Sequence, residues 1–259
     1  MSANAEELTV FAAEQASMVG ACFLGHAVTH LGKTDRVRDV EVRYAIRDGK
    51  RLAFEVFGSG PCDVVVMQTL FPIDLMWDLP QLASFMETLG GFARVIAFDS
   101  RGTGSSDPIP DLGVATIETT ADDLVAVLDA AGSERATLFD IASGVTSVVF
   151  AATHPERVRT LTLVSTPARL GKQSYGLGYQ SEAEAQQAMG MKAWVEATNR
   201  ANRFPPETDP GLLRWYSDEF AKNRADVQLV MSKLFHSIDA SVYLSRIAAP
   251  VLGLYPSAG

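Results

Sequence analysis

Four short apolar runs recur along the chain between stretches of helical period: Val64-Val-Val-Met67, Arg94-Val-Ile-Ala-Phe98, Ala136-Thr-Leu-Phe139 and Leu161-Thr-Leu-Val164. The first, Val64-Val-Val-Met67, is an unbroken apolar run, as suits a strand buried on both faces. Helical patterns fall between them, over 81–89, 117–131 and 145–153, and Gly132 closes the second. Repeated strand–helix units give parallel strands joined by crossovers, so the expected fold is α/β, a mostly parallel central sheet with flanking helices. The strand at Ala136 is expected near the middle of that sheet. Ahead of these units Val42, Tyr44 and Ile46 alternate with polar residues, and Asp48-Gly49 is a hairpin turn pair. Residues 52–57 return as a second strand, closed by Gly58-Ser-Gly-Pro61.

After Thr166-Pro167 the strand pattern stops for about eighty residues. Ser181-Glu-Ala-Glu184 is a capping box that opens a helix expected to include Met189 and Trp194. Asp209-Pro210 starts another through Trp215 and Phe220, and Val227, Met231, Leu234 and Phe235 mark a third apolar stripe. A strand resumes at Pro250-Val-Leu-Gly-Leu254. Ahead of the sheet, Met18/Cys22 and Val19/Phe23 stand at i,i+4, an amphipathic helix whose apolar stripe needs covering by the main domain or a second subunit. The expected organisation is an N-terminal helical extension over 1–38, a core over 39–167, an inserted helical cap over 168–246, and a return to the sheet over 247–259.

With 47% hydrophobic residues in 259, the chain has ample material for one large core. Its 31 acidic against 22 basic residues leave a net charge of −9, a surface that repels phosphate backbones, so no nucleic-acid partner is expected. Cys22 and Cys62 lack metal-ligand spacing and read as reduced thiols of a cytoplasmic protein. The start, MSANAEEL, is acidic where a secretory signal is basic, and the apolar stretch from Met18 to Leu31 is too short to span a bilayer. No membrane association is expected. His26 and His30 stand at i,i+4 without a nearby acidic or cysteine partner, so they read as packed or exposed histidines, not ligands. No metal or cofactor is expected.

The segment Phe98-Asp-Ser-Arg-Gly-Thr-Gly-Ser-Ser-Asp107 closely resembles the turn after the fourth strand of α/β-hydrolases, written D-x-R-G-x-G-x-S. In that family its glycines permit a tight backbone path and its charged residues anchor the loop, without a catalytic role. Asp122-Asp123-Leu through Gly132-Ser-Glu-Arg135 resembles the helix leading into the nucleophile strand, and His154-Pro155-Glu-Arg157-Val158 the end of the helix after it. The likeness covers roughly 40–168 and the strand at Pro250. It is closest in character to bacterial hydrolase domains with a helical cap, including those fused to nucleotide cyclases or regulatory modules.

The family's chemistry is not written in the expected places. Its nucleophile sits on a sharp strand-to-helix turn flanked by small residues, often G-x-S-x-G. Here the text is Leu138-Phe-Asp-Ile-Ala-Ser-Gly144. Counting forward from Gly132 puts the nucleophile at Ala142; counting back from His154-Pro155 puts it at Ile141. Loss of the nucleophile is the reading that follows. Two neighbours are candidate substitutes: Ser143, flanked by bulky Ile141 and Val145, and Asp140, in the manner of the aspartate of haloalkane dehalogenases but placed where the first small residue belongs. After the third strand the family carries a glycine for the oxyanion, whereas this chain has Met67-Gln-Thr-Leu-Phe-Pro72, leaving Gln68 and Thr69 as side-chain donors. No histidine follows an acid-bearing loop before Gly259, and the last strand and helix of the fold are missing, so the chain reads as a fragment or truncated gene product. The resemblance, with these losses, implies a hydrolase-fold domain with a degenerate or incomplete site and a capped pocket. Gln68, Thr69, Leu70, Ala142, Trp194 and Trp215 are expected to line it around a small apolar or ester-like molecule. The alternatives are an active esterase-like or lyase-like enzyme built on Ser143 or Asp140, and a regulatory or interaction module. A homo-oligomer through the N-terminal helix or an exposed sheet edge is a further expectation.

Overall fold

The computed structural model describes residues 40–68, 72–78, 80–109, 116–141, 145–164, 166, 182–198, 210–221 and 239–254. Within them β1 (Arg43–Arg47), β2 (Lys50–Phe57), β3 (Asp63–Gln68), β4 (Arg94–Phe98), β5 (Ala136–Ile141), β6 (Val158–Val164) and β7 (Val251–Leu254) form one sheet in the order β1-β2-β4-β3-β5-β6-β7. β2 runs antiparallel to both β1 and β4, and every later pairing is parallel. The β1–β2 hairpin closes on Asp48 (φ 50°) and Gly49 (φ 69°), the two left-handed residues that match the twist of the flanking strands.

Helices α1 (Pro80–Gly90), α2 (Ile117–Ala131) and α3 (Val145–Thr153) cover the sheet, α1 on one face, α2 and α3 on the other. Alternation along the strands divides the core in two. Val64, Val66, Ala97 and Phe139 pack with Phe85 and Met86 of α1. Val65, Met67, Ile96 and Leu138 pack with Leu124 and Leu128 of α2 and Val148 of α3. Both faces are apolar because both are covered, which is why Val64–Met67 of β3 reads as a continuous run. α2 keeps its expected limits because both ends are capped. The Thr116 hydroxyl accepts from the Thr119 N–H, and Gly132 is left-handed and returns its N–H to the Leu128 and Asp129 carbonyls.

Of the boundaries that differ from the sequence reading, three bear on the site. β5 continues two residues beyond Phe139, so Asp140 and Ile141 are strand residues. β6 begins at Val158, straight after a 3-10 turn at Pro155–Arg157. The single helix expected through Met189 and Trp194 is two, α4 (Glu182–Met189) and α5 (Met191–Thr198), broken at Gly190, whose φ of 80° no α-helix accommodates. α6 (Pro210–Ala221) follows and begins at Pro210, as its Asp-Pro signal indicated. α5 packs against α6, with Lys192 and Asp218 paired at 2.5 Å, and Leu212 and Trp215 of α6 pack on Leu82 of α1. These helices lie between β6 and β7, where an insertion was expected. A 3-10 segment, Ala240–Arg246, then packs against α3 and leads into β7. The expected N-terminal helix and the stripe over 227–235 lie outside the described residues. No described helix is long and apolar enough to cross a membrane.

Candidate functional site

In an open parallel sheet the place for a ligand is the crevice beyond the carboxyl ends of the strands. Here that means the ends of β3, β4, β5 and β6. Gln68, the last residue of β3, lies in register with Ile141, the last of β5, and Ile141 with Val164, the last of β6. One row below, Asp140 stands between Met67 and Leu163.

Asp140 is fully buried. Its Oδ1 accepts a hydrogen bond from the Thr166 hydroxyl at 2.8 Å, and the Val164 carbonyl is that hydroxyl's longer alternative acceptor at 3.2 Å. Thr166 stands two residues beyond β6, so this bond joins the ends of two adjacent strands. Ile141 is also buried, packed in the layer under α1. β5 runs to Ile141 and α3 begins at Val145, so Ile141 is a strand residue. Ala142 and Ser143, like Thr69 and Leu70, lie outside the described residues, and for Gln68 only the backbone is described.

The turn after β4 is fastened by the motif that first suggested the family. The buried Asp99 carboxylate accepts from the Ile73 N–H through Oδ1 and from the Ser105 N–H through Oδ2, both at 2.9 Å. Ser106 donates to the Asp99 carbonyl at 2.6 Å and accepts from the Ala53 N–H at 2.8 Å. Arg101 grips Asp123 of α2 through two bonds of 2.6 and 2.7 Å. Burial pushes the Asp123 carboxyl up from its ordinary value, and the guanidinium of Arg101 opposes that shift. Asp107 accepts from the backbone and the side chain of Arg51, and these bonds hold its carboxyl below the ordinary 3.8. The anchoring role implied by the motif is thus visible residue by residue. What the sequence did not reveal is that Asp99 also reaches the segment after β3.

That segment has a second tie. Trp77 donates its indole N–H to Glu55 of β2 at 2.9 Å, and Glu55 is fully buried. The available signal was one carboxylate inside the apolar run Leu52-Ala-Phe-Glu-Val-Phe57. Glu55 and Asp99 together hold residues 73 and 77, immediately beyond the loop expected to serve the oxyanion.

The aromatic nominees sit among the helices that follow β6. Trp194 of α5 is almost wholly buried. Trp215 is half-buried against Leu82 and Leu212, and so joins α6 to the helix that follows the β3 loop. His154, the one histidine among the described residues, lies just past the far end of α3 from the turn. A helix of nine residues is about 13 Å long. Its Nδ1 is 2.9 Å from the Thr153 hydroxyl, its Nε2 is 3.5 Å from Asp122, and its ring stacks on Phe150. Among the described residues no three His, Cys, Asp or Glu side chains are grouped to hold a metal.

Comparison with known proteins gives this arrangement a family. The model of the alpha/beta hydrolase fold matches residues 83–227, more than half of the chain. The chain is 32% identical over 213 residues to a protein named as carbamate hydrolase RutD in Variovorax paradoxus, covering 78% of this chain and 76% of that one. It is 27% identical over 176 residues to 3-oxoadipate enol-lactonase 1 of Acinetobacter baylyi, covering 67% of this chain and 57% of the enzyme. Among solved structures, the enol-lactonase from Burkholderia xenovorans LB400 superposes with a TM-score of 0.67 at 24% identity, over 82% of this chain and 80% of that one, a likeness of fold. The chain belongs to the α/β-hydrolase fold family.

Proposed function

We propose that this chain is a hydrolase-fold domain with a degenerate site, which binds a small ester- or lactone-like molecule and does not turn it over by a Ser-His-Asp mechanism. The observation that carries this reading is the β5–α3 junction. The strand runs to Ile141 and the helix starts at Val145, which leaves Ala142-Ser-Gly144 in the sequence between them, and a buried, hydrogen-bonded Asp140 stands where the family needs a small residue. A triad acts as one unit, needing an attacking group, a base and oxyanion donors together. His154 is a poor base here, because it lies beyond the opposite end of α3 and engages Thr153 and Asp122. The ligand class is drawn from relatives named for lactone and carbamate hydrolysis. The cap-like helices α4–α6 support a roofed pocket, because Trp215 and Leu212 bring α6 onto α1.

One observation favours a second reading, an esterase-like or lyase-like enzyme: of the three residues between β5 and α3 in the sequence, Ser143 carries a hydroxyl. The test is to incubate the chain with p-nitrophenyl acetate and butyrate and with a serine-directed phosphonate. Turnover at background, with no labelling, is expected. Saturable turnover lost in Ser143→Ala, or phosphonate mapped to Ser143, would establish the second reading instead.

A further inference from the structure

We propose that residues 18–31 dock, within the same molecule, on the outer half of β1, at a margin of the sheet's α1 face that no described helix covers. On β1, Tyr44 is 45% and Ile46 63% exposed. Pairing sets Tyr44 beside Ala53 and Ile46 beside Arg51. Ala53 belongs to the layer under α1, and Val42 packs at the margin of that layer, so Tyr44 and Ile46 extend it beyond the reach of α1. The other side of β1 is closed. Ala45 is buried in the layer under α2, Arg43 donates to the Ala130 carbonyl, and Arg47 pairs with Asp122 at 2.8 Å.

The occupant is chosen by its chemistry and its tether. Residues 15–32 contain no Asp, Glu, Lys or Arg, and Met18/Cys22 and Val19/Phe23 repeat at i,i+4, a stripe that loses free energy in water unless something covers it. Nine peptide steps from Leu31 to Val40 span at most about 30 Å. A tether of that length holds the stripe near β1 at an effective concentration of roughly millimolar, against which a second copy at micromolar concentration competes poorly. Among the described residues the other exposed large apolar side chains are Val242, Leu244 and Val251. Val242 and Leu244 flank Tyr243, which packs in the layer under α2 on the sheet's other face. Val251 lies on β7, six strand spacings or about 29 Å farther from the tether's anchor, so β1 is the exposed apolar strand within reach.

Cys22 supplies the probe. In the full chain carrying Cys62→Ser, Ile46→Cys is introduced, with Tyr44→Cys as a second variant if the first folds poorly, and each is oxidised mildly at micromolar concentration. Non-reducing electrophoresis and peptide mapping are expected to find most molecules as monomers with Cys22 joined to the introduced thiol. The link should fall several-fold when Phe23→Asp is added. Val251→Cys in the same background should remain unlinked. A disulfide-joined dimer would assign the face to a second copy and overturn the proposal. So would the absence of a link in both variants, or equal linking at position 251.

Discussion

Gly104 shows how closely the turn after β4 is drawn onto Asp99. It is left-handed, with φ 48°, and a Cβ there would lie 2.1 Å from Asp99 Oδ2. Alanine must therefore displace the carboxylate that receives the Ser105 and Ile73 N–H groups. We expect Gly104→Ala to lower stability by about 2–4 kcal/mol, from backbone strain and a disturbed buried carboxylate, as read by urea unfolding. Asp107 offers a pH test. Its folded carboxyl is held below 3.8, chiefly by the Arg51 N–H, so its stabilising contribution is complete above that value and is lost as pH falls through the lowered one. The melting-temperature gap between wild type and Asp107→Asn should be widest near neutrality and should close on acidification. Asp123, pushed up by burial, works in the opposite sense, and pairing each measurement with the asparagine variant removes its influence. At this scale the sequence was legible where partners are local: Asp99 and Ser105 lie six positions apart in one motif. It was silent where they are distant, as for Asp140 with Thr166 and Glu55 with Trp77, separated by 26 and 22 positions.

Elements whose ends carry their own chemistry were readable. The Asp48-Gly49 hairpin, α2 with its Gly132 cap, and α6 with Pro210 at its first position all fall where the sequence puts them. β5 was read short because Asp140 looks like the end of an apolar strand, and only burial against Met67 and Leu163 lets the strand continue. The α4–α5 break was missed because a lone glycine is tolerated in helices, and its left-handed backbone is a tertiary outcome. The docking of α6 on the core is open to a direct test. Leu212 is buried against Leu82 of α1, and Leu212→Ala should cost about 2–4 kcal/mol if the void does not collapse. Hydrogen exchange should then quicken over 210–221 while β3 and β5 keep their protection. Equal loss of protection in both would mean that α6 is part of the central cooperative unit and not a layer laid upon it.

The sheet taken whole has two unequal margins. β7 pairs with β6 alone among the described residues and leaves Val251 half exposed, a template for another strand. We expect light scattering to show association that rises with concentration, and Val251→Lys to reduce it without lowering the melting temperature; a wild-type chain that stays monomeric throughout would remove this margin as an interface. The bond between Asp140 and Thr166 has a consequence for anyone engineering the domain. The ties described for Asp99, Arg101 and Glu55 are made with residues 73, 77, 105 and 123, so a library randomised over 142–144 should yield mostly folded members. A transplanted Gly-x-Ser-x-Gly sequence differs, because it must overwrite Asp140 and so strips Thr166 of its carboxylate partner. Installing that whole motif in this scaffold therefore starts with a loss of stability in the fold, and a path to it passes through position 166 as well as through residues 140–144.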